Sequence, residues 1–206
     1  MISGIWGRKI GMTQIFSDNK VVPVTVVDTS NWLITQTKTE EKDGYNAIQV
    51  GHLRKRYQGQ AFDAAWLKKT KVYFDHVREV RVKSLSETLQ AGQIVNLQDV
   101  LQEKDIVDAT ANTIGKGFQG VVKRLGYSGG RGSHGSGFGR VPGSMSFMRA
   151  RGKVIKGKGL PGQMGNKRRT IKNLQVVQVR PEENVVLVKG SVAGNAGSFV
   201  FLRKSE

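Results

Sequence analysis

The chain has no cysteine among its 206 residues, and it has no long hydrophobic run. Without cysteine, neither a disulfide framework nor a thiolate metal site can form, which fits a reducing compartment. No stretch approaches the roughly 18 apolar residues of a membrane span. The first residues also lack a signal-type apolar stretch and an Arg/Ser-rich transit segment. We therefore expect a soluble protein of the cytoplasm, or of an organelle matrix after processing.

Acidic residues are missing from the whole stretch between Ala109 and Pro181. The chain carries 33 Lys and Arg against 16 Asp and Glu, and 15 of the cations lie in this stretch. The sequence therefore describes a nearly neutral body with one strongly cationic region. A polyphosphate is the commonest partner of such a region. An anionic membrane is the alternative, but it requires a basic amphipathic helix, and the sequence contains none.

Residues 126–165 contain 13 glycines and only 11 apolar side chains. Ordering 40 residues costs roughly 40–80 kcal/mol of conformational free energy. Burying 11 apolar side chains returns about 15–30 kcal/mol. We expect this segment to be disordered in the free protein and ordered against an RNA partner. A solvated basic linker is the plain alternative, but apolar side chains such as Phe138 and Ile155 between the cations suit unstacked bases.

Outside that segment, runs rich in Val, Ile, Thr and aromatic residues alternate with turn residues and predict short strands. The predicted strands are Lys20–Thr29, Trp32–Thr37, Tyr45–His52, Phe74–Lys83, Ile171–Val179, Asn184–Lys189 and Ser198–Arg203. Their spacing predicts a small barrel, in which the strands before residues 126–165 and those after them close one sheet. The spacing of apolar residues predicts a helix over Gln60–Lys69 and a shorter one over Phe118–Leu125.

No set of residues makes a case for catalysis. Gly115–Gly120 matches GxGxxG, but a dinucleotide site also needs an acidic residue about 20 positions later, and none occurs before Glu182. A loop that brings backbone N–H groups to RNA phosphate explains these glycines better. The three histidines lack metal-ligand spacing, so we predict no metal site and no cofactor. We assign His52 and His76 to strands and His134 to RNA contact.

Six blocks of the sequence, in order, resemble the ribosomal protein L-three family of the bacterial type. The blocks are Gly7–Phe16, Gly115–Arg124, Ser133–Gly135, Arg140–Ser144, Gly152–Asn166 and Val186–Gly190 followed by Ala193-Gly194. The resemblance implies a mainly β fold with an α/β insertion: a translation-factor-like closed β-barrel plus a long, irregular extension rich in glycine and basic residues. It implies barrel segments at 1–58, 72–125 and 166–206, a helical insertion at 59–71, and an rRNA-penetrating loop at 126–165.

The same resemblance implies a structural constituent of the large ribosomal subunit, located in the ribosome. The protein would bind 23S-type rRNA near its 3′ end, act early in subunit assembly and reach toward the peptidyl transferase centre. Neighbouring proteins such as L-fourteen and L-nineteen would be its partners, with no membrane and no small-molecule substrate. A non-ribosomal RNA chaperone and an RNA-modifying enzyme are the alternatives. The second would need an acid, a nucleophile or a cofactor pocket in the basic region.

Taken together, the charge distribution and the resemblance predict a set of RNA-binding residues. They are Arg8, Lys9, Lys116, Lys123, Arg124, Arg131, His134, Arg140, Arg149, Arg151, Lys153, Lys156, Lys158, Lys167, Arg168, Arg169 and Lys172. Arg149 stands at about the position where many bacterial relatives have a glutamine that is methylated in some of them. We therefore do not expect that modification here.

Overall fold

The computed structural model describes residues 2–17, 19–82, 89–97, 100–146 and 152–205. The fold is mainly β with short helices, as the sequence predicts. Its strands are β1 (Gly4–Ser17), β2 (Lys20–Asp28), β3 (Trp32–Lys38), β4 (Ala47–Leu53), β5 (Phe74–Arg81), β6 (Ile106–Asn112), β7 (Gly117–Gln119), β8 (Gly162–Met164), β9 (Arg168–Arg180), β10 (Val185–Lys189) and β11 (Phe199–Lys204). Its helices are α1 (Glu40–Asp43), α2 (Ala65–Lys68), α3 (Thr70–Tyr73) and α4 (Val121–Leu125), with a 3-10 turn at Lys55–Tyr57.

Six strands hydrogen-bond in a closed ring, in the order β1-β11-β6-β9-β10-β2, which makes a closed barrel. All of the pairings are antiparallel. The register shifts in three of them, between Lys9 and Gly11, Val107 and Ala109, and Leu187 and Val188. Such bulges bend and twist a strand, which a closed sheet of only six strands requires.

Two of the barrel strands, β1 and β6, fall where the sequence predicted none. In β1 the glycines weaken the strand pattern, because glycine has low β propensity. The structure explains at least Gly7, since a Cβ atom there would overlap the Val27 side chain on the neighbouring strand. Gly7 therefore allows the two strands to approach closely, and the same glycine weakens the pattern from which the strand could have been predicted.

The prediction that the strands before and after residues 126–165 close one sheet holds for β2 but is wrong for β3, β4 and β5. β2 joins the barrel, whereas β3, β4 and β5 form a separate three-stranded sheet. Alternating apolar residues predict a strand but not its partner, because pairing depends on contacts that are distant in sequence. The run Trp32–Thr35 is buried at every position. Continuous burial of this kind is typical of a strand that is covered on both faces.

Two hydrophobic clusters cover this separate sheet. On one face, Trp32, Ile34 and Ile48 belong to the large cluster that also contains barrel residues such as Val107 and Leu202. The other cluster is built from Leu33, Leu53, Trp66 and Phe74, with Tyr57, Tyr73 and Val77 packed against it. The 3-10 turn, α2 and α3 therefore cover the second face of this sheet.

Both predicted helices begin later than their patterns indicated. The Asp63 carboxylate accepts a hydrogen bond from the Ala65 amide at 2.9 Å, so α2 begins at Ala65 and not at Gln60. A side chain that bonds a nearby backbone amide competes with helix geometry on its N-terminal side. Near the second predicted helix, Gly117–Gln119 forms β7, and α4 begins after Gly120.

The chain divides into two compact units, one made of Met1–Asn112 with Arg168–Glu206 and the other of Thr113–Lys167. The first unit contains the barrel and the separate sheet. The second contains α4 and the two-stranded ribbon of β7 and β8. Its described residues 126–146 and 152–161 form no helix or strand.

Candidate nucleic-acid interface

Most of the predicted cations in the second unit are exposed and have no side-chain partner among the residues that the structure describes. Within the described residues they form no ion pair and no side-chain hydrogen bond, which leaves their charges free for an external anion. This group comprises Lys116, Lys123, Arg131, Arg140, Lys153, Lys156 and Lys167. Unpaired cations on an irregular backbone can approach phosphates from many directions, which suits an RNA surface better than a single small ligand.

Two predicted cations of this unit hold its own backbone. The Arg124 guanidinium donates to the Leu160 carbonyl oxygen at 2.6 Å and to that of Gln163 at 3.3 Å. The Lys158 ammonium donates to the Ser144 carbonyl oxygen at 2.7 Å. Since both side chains are only partly exposed, they fasten separate parts of the irregular chain. Their predicted contact with RNA would use the donors that these bonds leave free.

Large apolar side chains lie exposed among these cations. Phe118 is 75% exposed and Phe138 is 72% exposed. Val141, Met145 and Val154 are exposed as well. Exposure of large apolar side chains to water does not stabilise a free protein. Bases of single-stranded RNA, however, stack on flat apolar groups. His134 is also exposed, with a left-handed backbone at φ +59°.

Three predicted cations lie at the start of the long barrel strand β9. Arg168, Arg169 and Lys172 are exposed, and none of them forms an ion pair within the described part of the chain. Arg168 lies opposite Asn112 in the pairing with β6. Arg149 and Arg151, the remaining predicted cations of the basic region, lie outside the described residues.

Arg8 and Lys9, the two cations predicted in β1, form hydrogen bonds within the first unit. Lys9 is only 8% exposed, and its ammonium donates to the carbonyl oxygens of Val192 at 2.7 Å and Gly194 at 3.1 Å. The Arg8 Nε donates to the Gly197 carbonyl oxygen at 3.1 Å. These bonds hold the connection between β10 and β11 against β1. This geometry gives Lys9 a role in the fold, and its contact with RNA stays a prediction.

Aromatic residues of the first unit gather where the barrel meets the separate sheet. Trp6 and Trp32 stack at 6.1 Å between ring centroids, and Phe199 lies edge-on to Trp32 at 5.7 Å. His52 is buried, and its Nδ1 lies 2.8 Å from an Asp75 carboxylate oxygen. His52 and His76 both lie in strands, as predicted, but sequence reasoning did not bring them together with Trp6, because their strands are far apart in sequence.

The surroundings of His76 in this cluster lower the pKa of its imidazole. Burial lowers the pKa of its imidazole below the usual value, and the positive charge of Arg78 lowers it further. The carboxylate of Asp75 acts in the opposite direction and does not compensate. His76 is therefore a neutral ring at neutral pH, with one nitrogen that donates and one that accepts.

Groups that would support other functions are not assembled in the described parts of the chain. There, no three His, Asp or Glu side chains come close enough together to hold a metal ion. None of the helices described has both the length and the apolar character to cross a membrane.

Comparison with known proteins shows which family the chain is similar to. Residues 80–184 match the family described as Ribosomal protein L3. The large ribosomal subunit protein uL3 of Syntrophus aciditrophicus is 44% identical over 204 residues, which cover 98% of this chain and 93% of the relative. The protein of the same name from Syntrophotalea carbinolica is 44% identical over 208 residues, covering 100% and 99%. That from Thermotoga maritima is 42% identical over 202 residues, covering 98% and 97%.

Proposed function

The chain belongs to the ribosomal protein L3 family, and from this premise we propose that it is a structural constituent of the large ribosomal subunit. It binds large-subunit rRNA directly, near the 3′ end of a 23S-type molecule, and acts early in subunit assembly. It is not an enzyme. Its neighbours include other large-subunit proteins such as L-fourteen and L-nineteen, and it works in the ribosomes of the cytoplasm.

The separation of charge between the two parts of the chain carries this proposal. No acidic residue lies between Ala109 and Pro181, and the whole unit Thr113–Lys167 falls inside that stretch. Seven of its cations are exposed and unpaired within the described residues. Because a free protein gains nothing from unpaired like charges close together, this arrangement is best explained by a polyanion that neutralises them.

Residues 126–165 are proposed to extend into the rRNA toward the peptidyl transferase centre, while a translation-factor-like barrel stays at the subunit surface. Such an extension neutralises phosphates where RNA helices converge and repel one another. The exposed Phe118 and Phe138 supply faces for unstacked bases. Arg149 and Arg151, which lie outside the described residues, are assigned to the far end of the extension from the sequence alone.

Binding of a large-subunit rRNA fragment across a range of salt concentrations tests the proposal. If six to ten cations meet phosphates, the logarithm of the binding constant falls with the logarithm of salt concentration at a slope of roughly −4 to −9. Changing Arg131, Arg140, Lys153 and Lys156 together to Gln should make that slope shallower by about 3–4.

The matched control changes Lys20, Lys55, Lys68 and Lys71 to Gln, since these four lysines are also exposed but lie in the first unit. Equal changes of slope in the two variants would contradict the proposed interface. Sedimentation of salt-washed ribosomal particles gives a second test. A core subunit protein stays with the particle, whereas an RNA chaperone leaves it.

A further inference from the structure

A cavity of about 220 Å³ opens in the first unit, outside the unit Thr113–Lys167. Its walls come from four barrel strands and the separate sheet, with Trp6 from β1, His76 and Arg78 from β5, Asn112 from β6, Arg168 from β9 and Phe199 from β11. We propose that this cavity binds one unstacked RNA base and that Arg78 and Arg168 hold the attached phosphate. This inference rests on the proposed function, because it assumes that the partner is RNA.

The aromatic walls suit a flat ring. His76 and Phe199 stack with 4.3 Å between centroids and an angle of 15° between planes, and Trp6 meets His76 edge-on at 5.7 Å. These rings are held by strands, so they lose little freedom when a ligand binds. Since bases present a π-face whatever their identity, such a surface binds an unstacked base without requiring a particular sequence.

The size of the cavity limits what can enter. Its volume lies below the roughly 300–1,000 Å³ of pockets that hold drug-sized ligands. A single base fits this limit better than a dinucleotide or an extended peptide.

The charge at the cavity favours a phosphate over a neutral ligand. None of the residues that line it is acidic. The Arg168 side chain is exposed and forms no hydrogen bond or ion pair within the described residues. The Arg78 guanidinium donates one hydrogen bond, to the neighbouring Val77 carbonyl oxygen at 3.0 Å. The two carboxylates nearest to Arg78 in sequence are already bonded: Glu79 to Lys38 and Tyr45, and Asp75 to His52. Two arginines therefore remain available for one phosphate group.

One polar side chain at the walls has no partner. Asn112 is exposed, and its side-chain amide forms no hydrogen bond within the described residues. Because base edges carry both donors and acceptors, this amide can complete its hydrogen bonds on a bound base.

The test uses the full chain bound to a large-subunit rRNA fragment, with two variants that leave the core intact. Arg78→Ala combined with Arg168→Ala should weaken binding by about a hundredfold, since each charge-assisted contact commonly contributes about tenfold. Arg180→Ala is the matched control, because Arg180 is an exposed arginine at the opposite end of β9 that pairs with Glu183. It should change affinity by less than about threefold.

Ultraviolet cross-linking gives a readout that a surface phosphate contact alone would not produce. A base seated in the cavity should cross-link to the peptides that contain Trp6, His76 or Phe199, as mapped by mass spectrometry. Phe199→Leu keeps an apolar side chain but removes the stacking face, so it should lower both the cross-link yield and the affinity, the latter by roughly tenfold. Thermal melting of each variant shows whether the barrel remains folded.

The outcomes separate the cavity from the wider proposal. Wild-type binding without any cross-link to these three peptides would overturn the base pocket, even if the arginine variants bound weakly. It would leave rRNA binding through the second unit in place. Failure of the wild-type chain to bind large-subunit rRNA at all would overturn the proposed function itself.

Discussion

Replacing Lys9 with methionine tests whether this lysine serves the fold or the RNA. Its ammonium is buried and donates to two backbone carbonyl oxygens, those of Val192 and Gly194. Methionine has a similar length and fills the same space, but it donates nothing. Each carbonyl that loses its donor costs about 1–3 kcal/mol. Relief from burying a charge offsets part of this loss, so we expect a net destabilisation of about 2–4 kcal/mol.

For a chain of this length, such a loss lowers the melting temperature by about 4–16 °C. In guanidinium the unfolding midpoint should fall while the slope stays unchanged, because the surface exposed on unfolding is the same. Lys189→Met is the control, since Lys189 is exposed at the end of β10. It should leave the melting temperature nearly unmoved.

Affinity for rRNA separates the two roles of Lys9. At a temperature where the variant is folded, Lys9→Met should bind an rRNA fragment as well as the wild type. An unchanged melting temperature with a steep loss of affinity and a shallower salt dependence would refute the reasoning. Lys9 would then be a phosphate ligand, as the sequence alone predicted.

Three further predictions concern the separate sheet and the second unit. Hydrogen bonds from Lys38 and Tyr45 lower the pKa of Glu79, so Glu79→Gln should melt lower than wild type above about pH 4.3, and the difference should vanish as the pH falls through the lowered value. A persistent difference in melting temperature at pH 2 would contradict this. Gly165 has φ +72°, and a Cβ there would overlap the Ile114 carbonyl oxygen, so Gly165→Ala should destabilise the β7–β8 ribbon by about 1–3 kcal/mol. Gly137→Ala, which meets nothing within 4 Å, is its control, and hydrogen exchange of the ribbon amides measures both. In the free protein, amides of residues 128–146 and 152–160 should exchange faster than those of the barrel strands and slow on rRNA, and slow exchange without RNA would contradict the expected disorder.

Local patterns were sufficient for most of the strands. Seven strands overlap their predictions closely: β2, β3, β4, β5, β9, β10 and β11. Runs of β-branched residues bounded by turn residues carry a strong signal over a few positions. The helix starts were predicted less well. Asp63 shows the reason, since a single side-chain bond to the Ala65 amide decided where α2 begins.

The residues of the candidate sites were likewise predicted only in part from the sequence. The unpaired cations of the second unit were found from the sequence, since the absence of acidic residues over a long stretch leaves them no partners nearby. The aromatic cavity was not found. Trp6, His76 and Phe199 come from three distant segments, and each alone reads as an ordinary strand residue.

The sequence by itself therefore determined the charge separation, the mainly β character and the family, because these follow from composition and from patterns over short stretches. Only the tertiary structure decided that β3, β4 and β5 leave the barrel, that Lys9 points to backbone carbonyls, and that aromatic rings from separate strands enclose a cavity. The physical reason is that strand pairing, burial and cavities depend on contacts between residues far apart in the chain, which no local pattern encodes.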